Sequence, residues 1–294
     1  ELLELYSRAD GVTYRAYEPD ARERGRLAAL YPLLPARHQR VLRERLVAVY
    51  CIENFTGSGM ADYVLGPGDE VYSLLILHPR VFEMTARELI LLRERSAFAR
   101  DDSGVSIHIE LSEDVSALAY IVLHEATHIV DYAERHTPYV EPGMRELFGR
   151  AERPTPFSDE LWEDYRRLRT GVGFAHHEDL RFYGLGDEPA LALAEAPEVY
   201  AALSRTPLPS LYGAFSWAED FAEFVSFYYL VHVWNADYRV GLLRDGEKIT
   251  VWRPMDSPHA VRRAGLLDPS LLAAPPVAGP NRRTAPPRAS GAGS

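Results

Sequence analysis

The stretch Tyr120-Ile121-Val122-Leu123-His124-Glu125-Ala126-Thr127-His128-Ile129-Val130-Asp131-Tyr132 decides how the rest of the chain must fold. On a helical projection Leu118, Ala119, Ile121, Val122, Leu123, Ala126, Ile129 and Val130 spread round most of the circumference, as in a helix buried on nearly all sides. His124, Glu125, His128 and Asp131 interrupt that apolar surface on one sector. The i,i+4 spacing sets the two imidazoles one turn apart on one side, as two tetrahedral zinc ligands require. Burying two imidazoles beside two carboxylates is costly without a partner, and a divalent cation supplies one. The competing reading is a metal-free hydrogen-bond network of the same side chains.

A zinc site of this kind needs a third protein ligand and keeps its fourth position for water. Glu134 follows His128 by six residues but on an unbroken helix points away. His176 and His177 sit in a glycine-rich stretch that reads as a loop. The third candidate is Leu211-Tyr212-Gly213-Ala-Phe-Ser-Trp217-Ala218-Glu219-Asp220-Phe221-Ala222-Glu223-Phe224, an aromatic helix that carries Glu219 and Glu223 one turn apart on one face. There Glu219 can ligate zinc while Glu223 can accept a hydrogen bond from the outer nitrogen of a ligand histidine, the alternative being an acidic solvent face.

Taken together, His124-Glu125-x-x-His128-x-x-Asp131-Tyr132, Tyr212-Gly213 and Ala218-Glu219-x-Phe221-Ala222-Glu223 resemble the gluzincin zinc metallopeptidases, notably the catalytic domain of anthrax lethal factor and more distantly the thermolysin type. The resemblance covers about 25 residues in two blocks. It implies one Zn2+ per chain held by His124, His128 and Glu219, with Glu125 as general base and acid. It further implies that Tyr212, seven residues before Glu219, stabilises the oxyanion, while Glu223 and Asp131 support the ligands from behind. The separation of 91 residues from His128 to Glu219 exceeds that in those relatives, so an insertion is expected there. The reaction implied is hydrolysis of a peptide or protein substrate. A zincin scaffold that binds without catalysis is the alternative, and a hydrolase of non-peptide amides or esters is a third.

Working outward, Val105 to Leu111 alternates as a half-buried strand with Ser106, His108 and Glu110 outward, and is expected to border the cleft and pair with substrate. Ser112 is the expected cap of the long helix. Two helices joined at Pro32 and Pro35 are expected over Arg22–Ala48, a strand over Glu70–His78, and a helix opened by the capping box Thr85-x-x-Glu88. Further helices are expected around 159–170, 190–204 and 217–234, with a strand at Lys248–Arg253. The segment Thr56-Gly57-Ser58-Gly59 reads as a plain loop. The fold class is therefore α+β and zincin-like: a small twisted sheet, an active-site helix and a mostly helical remainder. A helical N-terminal region (1–65), a catalytic domain (66–268) and a disordered tail rich in Pro, Ala and Gly (269–294) make up the expected organisation.

Composition excludes several other classes. With 47% hydrophobic and 26% charged residues the chain has the balance of a folded domain. Its net charge of −11 is spread over the length and would repel nucleic-acid phosphates. No stretch is apolar enough for a transmembrane helix. Cys51 is the sole cysteine and reads as a buried small hydrophobe, so neither a disulfide framework nor a cysteine zinc cluster is expected. The chain begins with Glu1 rather than Met; its compartment is left open, with an extracytoplasmic or secreted one favoured.

Overall fold

At Leu46 a charged helix gives way to Val47, Val49, Tyr50 and Ile52, residues that pack well on a pleated surface, and the backbone extends. The computed structural model describes residues 2–68, 70–112, 115–138, 154–172, 174–183 and 188–275. Helices α1 (Leu2–Asp10), α2 (Ala21–Leu30) and α3 (Ala36–Arg45) are interleaved with strands β1 (Arg15–Tyr17) and β2 (Leu46–Glu53), so the second expected helix ends at Arg45 and not at Ala48. With β3 (Gly59–Leu65) and β4 (Val71–Leu77) these strands form a sheet ordered β1-β2-β4-β3, in which β2 and β4 are the parallel pair. The boundary expected at 65/66 falls between β3 and β4, whose backbones pair throughout, and residues 2–65 carry strands β1, β2 and β3 beside their helices.

β3 is an edge strand, and its register decides which groups it offers. His78 N–H donates to the Ser58 carbonyl (3.0 Å) and Gly66 N–H to the Glu70 carbonyl (2.8 Å). Even-numbered residues therefore bond β4, and Gly59, Ala61 and Tyr63 turn their N–H and C=O away from it. The glycine pair expected to be plain loop thus leads into the strand that flanks the central helix.

Helix α4 (Ala86–Ser96) opens with the expected capping box, Thr85 and Glu88 exchanging bonds. Strand β5 (Phe98–Ala99) follows, then β6 (Val105–Glu110), which buries Val105, Ile107 and Ile109 and turns Ser106, His108 and Glu110 outward as its alternation predicts. β6 belongs, however, to a second antiparallel sheet, β11-β10-β6, formed with β10 (Arg239–Arg244) and β11 (Glu247–Trp252). Helix α5 (Ala117–Glu134) is capped by Ser116, whose hydroxyl accepts from Ala119 N–H (3.1 Å), and not by Ser112, whose hydroxyl accepts from Asp237 N–H (3.1 Å). From Tyr120 to Asp131 every residue of α5 is buried.

The helix expected at 159–170 is instead a short helix α6 (Pro156–Asp159) followed by a hairpin, β7 (Trp162–Asp164) and β8 (Arg167–Leu168). Tertiary contacts override local propensity there: Trp162 is buried and donates to Asp220 Oδ2 (2.8 Å), and the Tyr165 carbonyl accepts from Trp217 N–H (3.1 Å). Strand β9 (Leu191–Ala192), which pairs with β5, leads into α7 (Ala196–Leu203). Helix α8 (Trp217–Tyr228) packs against α5 and continues as a π-helical turn over Tyr229–Val233. Two short helices, α9 (Pro258–Ala264) and α10 (Pro269–Leu272), close the described chain.

The larger of two apolar clusters runs from Leu34, just before α3, through α4, α5, β6 and α8 to Leu271 on α10. The tail expected from 269 is corrected for its first residues, since Leu271 is fully buried; the part beyond 275 lies outside the described residues. The class is mixed α+β with small sheets. Among the described residues no helix is long and apolar enough to cross a membrane.

Candidate metal centre

Helix α5 supplies His124 and His128 on one side, one turn apart. Helix α8 supplies Glu219 from its first turn, where Ser216 caps the helix by accepting from Glu219 N–H (3.2 Å) and the helix dipole favours a carboxylate. His124 Nε2 and His128 Nε2 stand 3.2 Å apart, and Glu219 Oε2 lies 3.1 Å from the first and 3.3 Å from the second. A tetrahedral cation with bonds of about 2.0–2.1 Å spaces its ligand atoms about 3.3–3.4 Å apart, close to this triangle. A neutral imidazole presents one proton or one lone pair at Nε2 and cannot serve both neighbours at once. A cation at the meeting point satisfies all three atoms.

Glu223, one turn beyond Glu219, is fully buried behind His124. Its Oε1 is 2.9 Å from His124 Nδ1 and accepts from Tyr120 Oη and from Arg93 (3.0 Å). Its Oε2 accepts from the other Arg93 nitrogen and from Ser210 Oγ (2.6 Å). Burial alone would raise the Glu223 carboxyl, but Arg93, His124 and Ser210 hold it down at about 2. Burial opposes ionisation of Glu219 too, and the two imidazoles outweigh it and lower its pKa. Burial likewise disfavours a charged His124, yet Glu219 and Glu223 draw its pKa up to about 10. Around the imidazoles, Glu125, Glu219 and Glu223 face one guanidinium, an excess of two negative charges that a divalent cation balances with both rings neutral.

Glu125 is 4% exposed and turns towards β3, where its Oε2 accepts from Ala61 N–H (2.7 Å), one of the open-edge donors. Burial raises its pKa against the pull of His124 and His128, a shift in the direction that suits a proton acceptor. Gly59 makes the approach possible: a Cβ there would stand 2.7 Å from Ile121 Cγ1 and 3.0 Å from Glu125 Cγ and Oε1.

Tyr212 begins a short 3-10 turn before α8. Its ring lies 6.2 Å from that of His124, centroid to centroid, and is walled by Phe182, Tyr183 and Phe215. The turn is anchored by buried Glu94, which accepts from Leu211 N–H (3.2 Å) and Tyr200 Oη (2.7 Å). Burial raises the Tyr212 phenol, and its hydroxyl has no hydrogen-bond partner among the described residues.

Asp131, expected behind the ligands, serves another end. Its carboxylate accepts from Thr137 N–H (2.7 Å) and Thr137 Oγ1 (2.6 Å), closing the chain's exit from α5, and it does not hydrogen-bond His128. The rival ligands lie elsewhere. Glu134 is held by Arg37 (2.5 Å) and Arg40 (2.6 Å), His177 accepts from Leu168 N–H, and His176 sits 3.9 Å from Glu198. Glu125 hydrogen-bonds β3 through Ala61 N–H, whereas β6, expected to border the cleft, pairs with β10 in the other sheet.

Arg93, Ser210, Gly59 and Ala61 were not singled out from the sequence. A signal for Arg93 existed: Ala86, Leu89, Ile90, Arg93, Glu94 and Ala97 mark the buried stripe of α4, and two charges occupy core positions in it. No protein-family model, curated protein or solved structure matches the chain significantly. The chemistry of the centre is therefore read from its own geometry.

Proposed function

We propose that this chain is a zinc-dependent peptidase of the gluzincin type in a zincin-like fold, with His124, His128 and Glu219 as ligands. The observation that carries this reading is the triangle of 3.1, 3.2 and 3.3 Å among their ligand atoms, the spacing of tetrahedral zinc. Zinc, when bound, supplies a Lewis acid that brings the pKa of water towards about 7 and polarises a carbonyl.

The protein's own groups do the rest. Glu125, its Oε2 steadied by Ala61 N–H, keeps Oε1 to take a proton from water and pass it to the leaving amine. Tyr212 donates its free hydroxyl to the carbonyl oxygen as charge develops, a contribution of about 3 kcal/mol for a donor of this kind. The open edge of β3 offers the N–H and C=O of Gly59 to an extended peptide backbone lying beside Glu125. Glu223 fixes the ring of His124.

The test joins metal analysis to digestion of a broad peptide library. About one zinc per chain, with cleavage abolished by a chelator and restored by zinc, is expected. Glu125→Gln should keep zinc and fold and lose cleavage. A metal-replete chain holding less than about a tenth of an equivalent of zinc, or a Glu125→Gln variant as active as wild type, would overturn the proposal.

A further inference from the structure

Helix α4 contributes nothing to the ligand set, yet one of its side chains reaches the back of the centre. Arg93 is 3% exposed, buried between α5, α8 and the turn that carries Tyr212. Its guanidinium grips Glu223 with two nitrogens, one on each carboxylate oxygen. Its Cζ also lies 4.4 Å from the centroid of the Tyr212 ring and 5.6 Å from that of Tyr120. The two contacts lead to the two sides of the site: Glu223 to His124 Nδ1, and the Tyr212 ring to the hydroxyl proposed above for the oxyanion.

We infer that Arg93 is a positioning residue of the metal centre, a single cation that orients the His124 imidazole through Glu223 and seats Tyr212 by stacking on its ring. This rests on the zinc reading and deepens it. A carboxylate held from both sides must present a fixed oxygen to His124 Nδ1, so the imidazole keeps its proton there and its Nε2 lone pair towards the centre. A planar guanidinium under a phenol ring fixes the ring's height and tilt, and its charge strengthens the hydroxyl as a donor. Lysine reproduces the charge and neither the fork nor the plane.

The two links are separable by substitution. Arg93→Met, Arg93→Lys, Glu223→Gln and the pair Arg93→Met/Glu223→Gln are compared in the full chain by chelator competition for zinc and by the visible spectrum of the cobalt-substituted protein. Arg93→Lys and Tyr212→Phe are compared, alone and together, for kcat and KM on a cleaved peptide. Arg93→Met should weaken zinc binding about 10- to 100-fold and alter the cobalt spectrum. Adding Glu223→Gln should then change little, because both act along one chain of contacts. Arg93→Lys should bind zinc more tightly than Arg93→Met. It should also lower kcat with KM nearly constant, and Tyr212→Phe should add little to it.

Wild-type zinc affinity and an unchanged cobalt spectrum in Arg93→Met would overturn the inference, as would fully additive losses in the Glu223 pair. If Arg93→Met does not fold, Arg93→Lys decides: wild-type affinity, spectrum and kcat in that variant overturn it. A wild-type chain that binds no zinc defeats the peptidase reading itself. Zinc-loaded wild type with indifferent Arg93 variants defeats this inference alone.

Discussion

Gly59→Ala adds one methyl at the point where β3 meets α5. The new carbon would lie 2.7 Å from Ile121 Cγ1 and 3.0 Å from Glu125 Cγ and Oε1, whereas carbon atoms pack at about 3.5–4.0 Å. Roughly 1 Å must be recovered, either by β3 withdrawing or by Ile121 and Glu125 turning aside. In the first case the Ala61 N–H bond to Glu125, now 2.7 Å, stretches beyond hydrogen-bonding range; in the second the carboxylate leaves its seat. A 1 Å displacement of a catalytic group costs about 100-fold in rate, and overpacking costs about 1–3 kcal/mol, a few degrees of Tm in a chain of this size. The atoms nearest the methyl belong to Ile121 and Glu125 and not to His124, His128 or Glu219, so zinc affinity should be unchanged. Steady-state kinetics, zinc titration and calorimetry on one preparation measure all three. Turnover and Tm equal to wild type would refute the seating of Glu125 by β3, and loss of zinc in step with activity would show that the glycine acts on the ligands instead.

Glu219→Ala should lower zinc affinity steeply, while alanine at Glu134, His176 or His177 leaves it near wild type; a loss at any of those three equal to that at Glu219 would reassign the third ligand. Tyr212→Phe should cut kcat about 100- to 1,000-fold with KM and zinc content little changed, and a zinc-loaded, stable variant with undiminished turnover would remove the tyrosine from the mechanism. His38 is fully buried against Thr127 Oγ1 (3.0 Å), and burial pushes its pKa from the ordinary 6.5 down to about 3. Folding therefore keeps the ring neutral, and the stability that its neutrality secures is present above pH 6.5 and lost as pH falls towards about 3. Urea unfolding of the metal-stripped chain from pH 7 to pH 4 should fall off less steeply in His38→Phe than in wild type, and equal slopes would discount this group.

The centre was legible in the sequence to the extent that it depends on helical spacing. The i,i+4 pairs His124/His128 and Glu219/Glu223 need only a helix beneath them, and α5 and α8 are long, strongly apolar helices. What escaped depends on contacts between segments far apart in the chain. The expected helix runs on to Ala48 instead of ending at Arg45 because a short apolar run fits either period until a parallel partner, β4, is known. The alternation of Val105 to Leu111 marks β6 as a strand, but proximity to Glu125 is set by sheet order, which alternation does not report. Asp131 lies at the right interval on α5, but Thr137, beyond the helix end, captures its carboxylate. Arg93 belongs to no spaced motif, and its place in the apolar stripe of α4 is the available clue.

The residue after Glu219 faces the other way. Asp220 is fully buried and binds Trp162 Nε1 and both terminal nitrogens of Arg263, which belongs to the short helix α9 far down the chain. A chain cut before Ser257 would leave Asp220 as an uncompensated charge in the interior, at a penalty of about 3–5 kcal/mol, on the turn of α8 that presents Glu219. The C-terminal helices are thus a structural brace for that turn. In a nested set of truncations, the shortest fragment to retain the centre would have to reach at least Arg263.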